Sequence, residues 1–405
     1  MSARTEARPR AGPGLAVSGV VGGIVIGGDY QGLGIARSLG RRRIPVVVLD
    51  DEVSIAAASR YVQASVRTPD LRTEDGTVAA LQDLARSHDV AGWILYPTRD
   101  ETVAAIARRR DELAALFRVP TPEWDTIELA DDKRKTYELA RQLGIPIPAS
   151  AVPGSIDAFD PVSQPGPWAI KPAIKERFIY ATKQKAWRAD DEQQLRDAFE
   201  RAAAIVGPDE VIIQELIPGD GRHQVAVCAL CDDGRVVAEM TVRRLRQHPP
   251  EFGRASTFAE TVDLPDVAAS ARRFLGAMRC DGLVEVEFKL DPRDGRYKLL
   301  DVNARTWGYH TLGAQAGVDF PYLLFRSATG HAVPSVRARP DVCWVRLLTD
   351  VPTALGEIWA GRLTARAYLR SLSRVRADAV FSLRDPLPGL AELALVPYLL
   401  VKRGR

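Results

Sequence analysis

Between Glu285 and Gly308 the chain reads EVEFKLDPRDGRYKLLDVNARTWG, with Glu285, Glu287, Asp301, Asn303 and Arg305 on alternate positions among apolar residues. Alternation at period two makes a strand with one apolar and one polar face. Arg293, Asp294 and Gly295 suit a three-residue hairpin loop, with Gly295 in the left-handed region. That loop pairs Lys298 with Leu290, and counting outward sets Asp301 against Glu287 and Asn303 against Glu285. Like charges directly opposed destabilise a hairpin, so two facing carboxylates require a cation between them. Glu, Asp and the Asn carbonyl form an all-oxygen set suited to Mg²⁺, a hard ion that keeps waters and phosphate oxygens as further ligands. A solvated polar face in a register slipped by one is the alternative these residues leave open.

Composition narrows the class. At 405 residues two or three domains are expected. The 55 basic and 52 acidic residues leave a net charge of +3, which gives no support to a nucleic-acid-binding chain. Four cysteines suggest a reducing compartment, so a cytoplasmic location is expected. Cys228 and Cys231 form a CxxC, but a strand sends positions three apart to opposite faces and no second CxxC completes a zinc site. Buried apolar cysteines are expected instead. The Arg-, Pro- and Gly-rich start reads as a disordered tail over residues 1–19. No uncharged apolar stretch reaches the roughly 18 residues of a membrane span.

GGIVIGGDYQGLGIARSLGRRRIPVVVLD reads as strand, Gly-rich turn, helix, strand, with Asp50 closing the unit. An acid about 20 residues past the glycines could hold a dinucleotide ribose, but Asp29 stands where GxGxxG needs its second glycine. After Tyr96, Arg99 and Asp100 lie just beyond a strand's carboxyl end, where open α/β sheets bind ligands; helix capping accounts for Asp100 equally well. A Pro-rich linker near Pro120 marks a domain boundary. A helix from about Lys133 to Leu143 follows, stopped by Gly144, Pro146 and Pro148. A short strand ends at Lys171–Pro172, and a hairpin turns at Asp233–Gly234.

With these pieces in order, the chain from about Gly22 to Gly330 resembles the ATP-grasp superfamily, in particular its carboxylate–amine ligases such as the D-aspartate ligase and carbamoyl-phosphate-synthase-like members. ADDKRKTYELARQLGIPIP looks like the family's first nucleotide lysine, at Lys133, and WAIKPA like the second, at Lys171. VIIQELIPGD looks like the hinge. By resemblance, the backbones of Gln214, Glu215, Leu216 and Ile217 meet the adenine edge, and Asp220 meets the ribose. VEVEF and LLDVNART carry the metal roles to Glu287, Asp301 and Asn303, and a phosphate-facing role to Arg305.

The resemblance implies an α/β and α+β architecture. A Rossmann-like domain over residues 20–120 precedes a two-subdomain ATP-grasp fold over 121–333, with a lid over about 150–217 and a C-terminal extension over 334–405. It also implies ATP and Mg²⁺ (or Mn²⁺), small-molecule carboxylate and amine substrates, and no Ser or Cys nucleophile. A homo-oligomer is compatible with it. Two features depart from the family pattern or extend it. The run after Lys171, AIKERFIYATKQKAW, has no glycine where the family has a glycine-rich phosphate loop; Lys175, Arg177, Lys183 and Lys185 either hold anions by side-chain charge or form a solvated run. In TVRRLRQHPPEFGRAST, Arg244 and Arg246 share a face if extended and could clamp a substrate carboxylate, or pair structurally beside Arg243 and Arg254. His223 and His310 sit near the implied site and read as polar packing more than as bases. The last apolar run, followed by KRGR, either lies on a membrane surface or packs on the protein body.

Overall fold

The computed structural model describes residues 19–249, 252–253 and 255–403. The expected tail, except its last residue, and Arg254 lie outside that range.

Three sheets organise the chain. The first is parallel, in the order Ala64–Arg67, Val46–Asp50, Gly23–Ile26, Ile94–Pro97. Its two central strands, GIVI and VVVLD, are buried along their whole length, as a parallel sheet covered on both faces by helices requires. The helix Tyr30–Gly40 starts where the Asp29 side chain accepts the Gln31 N–H. Within it, a Cβ on Gly34 would stand 2.5 Å from His310 Nε2. The missing side chain therefore lets this helix dock against a residue distant in sequence, in the segment that follows the acidic hairpin. The dinucleotide reading fails on geometry as well as spacing: Asp50 accepts from the Gly28 N–H at 2.6 Å and from Arg99 at 2.8 Å. Its carboxylate is spent on holding the turn.

The second sheet is small and antiparallel, in the order Ser150–Ala151, Val211–Glu215, Trp168–Pro172, Trp187–Ala189. The helix Glu192–Val206 backs it, packing Leu195 and Phe199 on Trp168, Ile170 and Ile213. The third sheet has eight strands. Its main path runs Arg296–Asn303, Gly282–Asp291, Gln224–Asp232, Arg235–His248, Ala255–Thr261, Cys343–Val345, Val375–Asp378, and Val336–Arg337 pairs with the fourth of these.

Each face of the large sheet belongs to a different core. Cys228 lies in one with Trp307, Tyr309 and Trp344; Cys231 lies in the other with Phe274, Leu275 and Phe288. Period two explains the split, and all four cysteines are free and buried.

The segment after residue 334 differs from a simple appendage, because three of its strands extend the large sheet itself. The closing helix, Leu387–Arg403, turns Glu392 inward to Arg346 at 3.0 Å and leaves Leu387 and Leu390 exposed. No helix among the described residues is long and apolar enough to cross a membrane.

Candidate active site

The acidic hairpin forms with Glu285 opposite Asn303 and Glu287 opposite Asp301. The expected pairing of Lys298 with Leu290 is wrong by one residue: Lys298 faces Lys289. The loop holds Pro292 to Gly295 between the paired Asp291 and Arg296, and Leu300 is an extra residue bulged out between Leu299 and Asp301. These two one-residue departures cancel before the acids are reached. Gly295 closes the loop at φ +70°. The bulge also has a use, since the Leu300 carbonyl accepts from the Tyr137 hydroxyl at 2.9 Å.

Each acid on the polar face has its own cationic or polar partner. Asp301 stands 3.0 Å from Lys133, and Glu287 stands 2.7 Å from Arg244. Glu285 lies 4.0 Å from the same guanidinium and accepts from the Tyr309 hydroxyl. Burial pushes all three carboxyls up, but the outcomes differ. Lys133, Lys175 and Lys185 hold Asp301 well below the usual range. Arg244 and Lys185 hold Glu287 down. Glu285, buried and beside the Glu287 charge, stays raised despite Arg244. Two ionised carboxylates therefore face one another, with a third, more proton-retaining acid behind them.

Asn303 departs from its expected role as an oxygen donor beside these acids. Its amide nitrogen donates to Glu285 at 3.1 Å and Glu287 at 3.2 Å, while its oxygen accepts from Lys175 at 2.9 Å. Two acids on one side need a donor and a cation on the other needs an acceptor, which orients the amide. Among the described residues no three His, Cys, Asp or Glu side chains are grouped to hold a metal. The donor set that fits a hard divalent ion is thus the ionised pair Glu287 and Asp301, an incomplete shell of the kind that phosphate oxygens and water complete.

A cavity of about 1350 Å³ brings this pair together with most of the residues expected from sequence. Lys133, Lys171, Gln214 to Ile217, Asp220, Arg244 and Arg246 all line it. Lys133 is the first residue of the helix Lys133–Gln142, which Asp132 caps through the Arg134 N–H. Lys171, next to last in its strand, sets its ammonium 2.5 Å from the Tyr137 hydroxyl, which also accepts from Gln214 at 3.0 Å. In the hinge, the Glu215 and Leu216 N–H groups are taken by the Ala149 and Pro167 carbonyls. The Ile217 carbonyl accepts from Lys289. The Glu215 side chain is held by Lys298 and Arg293. Asp220 pairs with Arg222 at 2.6 Å at the cavity edge, with His223 3.3 Å away.

Three expectations change. Arg305 is not among the residues lining the cavity: its guanidinium pairs with the partly buried Asp100 at 2.9 Å and donates to the Asn303 amide oxygen at 3.3 Å. Arg246 and Arg244 do not form a clamp, since a register irregularity separates them in the strand. Arg246 is held by both oxygens of Asp350 at 2.8 Å, by Ser371, and by the rings of Phe258 and Tyr368. The glycine-free run is not a loop in its first part but the helix Lys175–Thr182. Lys175 at its start reaches Asp100 at 3.0 Å, and burial lowers the half-buried Lys185 ammonium despite Glu287 and Asp301 nearby.

Of two organising residues, sequence reasoning singled out Asp100 as a ligand or capping residue without its partners, and missed Tyr137. Asp100 lies in the first turn of the helix Asp100–Arg108 without capping it, and joins Lys175 to Arg305. Tyr137 ties Lys171, Gln214 and the Leu300 bulge to one hydroxyl. Neither carries a spacing signal, because their partners are distant in sequence. His310 donates through Nε2 to the Gln31 carbonyl, 3.0 Å away, with burial pushing its imidazole down to about 4.

A small antiparallel sheet and a large sheet enclosing two lysines, a hinge strand and facing acids are the makings of a nucleotide clamp, and the chain has the ATP-grasp fold. Residues 208–351 match the family model described as ATP-grasp in the biosynthetic pathway with Ter operon. The D-aspartate ligase of Enterococcus faecium (strain Aus0004) is 24% identical over 301 residues, 70% of each chain. A carbamoyl phosphate synthase large chain from Gemmatimonas aurantiaca is 26% identical over 221 residues, 53% of this chain but only 18% of that one. The crystal structure of L-amino acid ligase from Bacillus licheniformis superimposes with a TM-score of 0.59 at 16% identity, covering 77% of this chain and 75% of that one. An ADP complex of N5-carboxyaminoimidazole ribonucleotide synthetase gives 0.61 at 13% identity, covering 83% and 87%. Taken with the site, these similarities are those of an ATP-grasp, carboxylate–amine-ligase-like protein.

Proposed function

We propose that the chain is an ATP-dependent ligase that activates a carboxylate as an acyl phosphate and joins it to an amine. The observation that carries this reading is the single cavity where Lys133, Lys171, the hinge Gln214 to Ile217 and the ionised pair Glu287 and Asp301 converge. Phosphoryl transfer asks a protein mainly for positioning and charge neutralisation, and these residues supply both. Lys171, fixed on Tyr137, and Lys133 balance phosphate charge. Glu287 and Asp301 would hold Mg²⁺ or Mn²⁺, with Asn303 joining only after its amide turns over. When bound, the ion would neutralise charge on the phosphate groups. A carboxylate oxygen of the substrate attacks the γ-phosphorus and ADP leaves. The amine nitrogen then attacks the acyl carbon, phosphate departs, and the nitrogen gives up a proton. The small sheet acts as a lid that excludes water from the acyl phosphate. The relatives' names support an amino acid as a substrate, and the four free buried cysteines support a cytoplasmic location.

The test is ADP release across a panel of amino acids, small acids and bicarbonate, with mass spectrometry of the products. Substrate-dependent ADP with an amide product is expected, and Asp301→Ala should abolish it. Full turnover by that variant would remove the metal assignment, and a carboxylated or phosphorylated product would move the protein to another ligase chemistry. The helix Lys175–Thr182, where the resembled family has a glycine-rich loop that this sequence lacks, favours a second reading as a nucleotide-binding protein without turnover. ATP binding with no ADP release across the whole panel would select it.

A further inference from the structure

The cavity has a wall that the nucleotide-binding elements do not supply. Beyond Asp220 and Arg222 it is lined by Glu357, Arg362, Leu363, Ala367 and Ser371, all from the chain after residue 334. Their position follows from Arg246. Its bidentate pair with the fully buried Asp350 pins the helix Leu347–Trp359 against the large sheet. Glu357 lies seven residues after Asp350, two turns on along the same face. There Arg362 grips both Glu357 oxygens, at 2.7 and 2.9 Å, and the pair is near enough to Asp220 and Arg222 to sense their charges. Two carboxylates, one from the hinge and one from the C-terminal segment, thus flank one end of the cavity, each paired with an arginine.

We propose that the C-terminal segment completes the nucleotide cavity, with Glu357 accepting a hydrogen bond from the ribose of a bound ribonucleoside triphosphate beside Asp220. The inference rests on the nucleotide reading of the cavity and adds to it a contact from outside the hinge. Arg362 is a positioning residue: it orients the Glu357 carboxylate and touches no nucleotide. Paired hydroxyls are what two neighbouring acceptors recognise, so the expected ligand class is a nucleotide with both ribose hydroxyls.

Isothermal titration of the full chain with the β,γ-imido analogue of ATP and its 2′-deoxy form, both with MgCl₂, tests this. Wild type should favour the ribonucleotide by about tenfold or more, the range for a hydrogen bond to a charged group. Glu357→Ala should weaken ribonucleotide binding by a similar factor and bring the two ligands closer together. Arg362→Ala should give a smaller loss of the same kind, largely rescued in Arg362→Lys. A Glu357→Ala protein with wild-type affinity and an unchanged ribose preference would overturn the proposal while leaving nucleotide binding intact. A wild-type protein that binds neither analogue would overturn the nucleotide reading itself, and this contact with it.

Discussion

Replacing Arg244 with methionine separates a metal-binding acid pair from a merely structural one. The Arg244 guanidinium lies 2.7 Å from Glu287 and 4.0 Å from Glu285, and all three side chains are at least nine-tenths buried. Methionine retains much of the volume and removes the charge, leaving Glu287 facing Asp301 with Lys185 as its remaining nearby cation. Breaking one side of a buried ion pair costs about 3–5 kcal/mol. A divalent ion between the same carboxylates should offset much of that, since a ligand at a hundred times its Kd stabilises by about 2.7 kcal/mol. Urea unfolding followed by circular dichroism, with and without saturating MgCl₂, gives both quantities. Arg244→Met should unfold at markedly lower urea than wild type, and Mg²⁺ should recover more than half of the loss while moving wild type less. An unchanged midpoint would refute the charge argument. An equal Mg²⁺ shift in both proteins would refute the site.

Arg246→Ala should destabilise by about 3–5 kcal/mol by stranding the fully buried Asp350, and limited proteolysis should show cleavage concentrating after residue 334. Lys171→Met should weaken ATP binding about tenfold to a hundredfold, the loss of one charge-assisted contact, without moving the urea midpoint by as much as Arg244→Met; wild-type affinity would remove Lys171 from the site. Glu176 gives a pH test. Burial pushes its carboxyl from 4.5 up to about 7, with Asp100 and Asp131 adding to the shift and Lys175 opposing it. A raised carboxyl stabilises the fold fully below its unfolded value and loses that contribution as pH rises through the folded one. The thermal midpoint of wild type should therefore fall relative to Glu176→Gln between about pH 4.5 and pH 7, and a difference flat across that window would refute the shift.

Period-two alternation grouped the acids on one face, but their pairing came out as expected only because the longer loop and the Leu300 bulge cancel. The same argument could not see the Leu300 bulge, which arises from a carbonyl turned toward Tyr137, a residue on another element. Lys133, Lys171 and Gln214 to Ile217 were picked out by resemblance to family segments, and the structure brings them to the lining of one cavity. The partners that hold Arg246 and Arg305 could not be read from the sequence. These, Asp350 and Asp100, are distant in sequence, and no local pattern records which of two arginines a buried carboxylate will take. The glycine-free run after Lys171 was read by analogy with a loop, whereas Lys175, Phe178 and Tyr180 together fit a short helix that buries one ring.

Charge also decides how the parts of the clamp meet. Lys171, Lys175 and Lys185 all belong to the small-sheet side, while Glu287, Asp301 and Asn303 belong to the hairpin. Lys175 reaches across to Asn303 and to Asp100 of the parallel-sheet domain, and the Tyr180 hydroxyl donates to Glu101 beside it. These contacts draw the three parts together around cations that a triphosphate would also attract. A nucleotide entering the cavity would therefore compete for the lysines and leave Glu287 and Asp301 to a divalent ion. In that exchange the carboxylates lose one set of positive neighbours and gain another, so closure need not be sacrificed when the lysines turn to phosphate. The arrangement explains why the acids are tolerated face to face in a buried hairpin: Lys133 beside Asp301 and Arg244 beside Glu287 balance most of their charge, and Lys175 and Lys185 from the small-sheet side add to it.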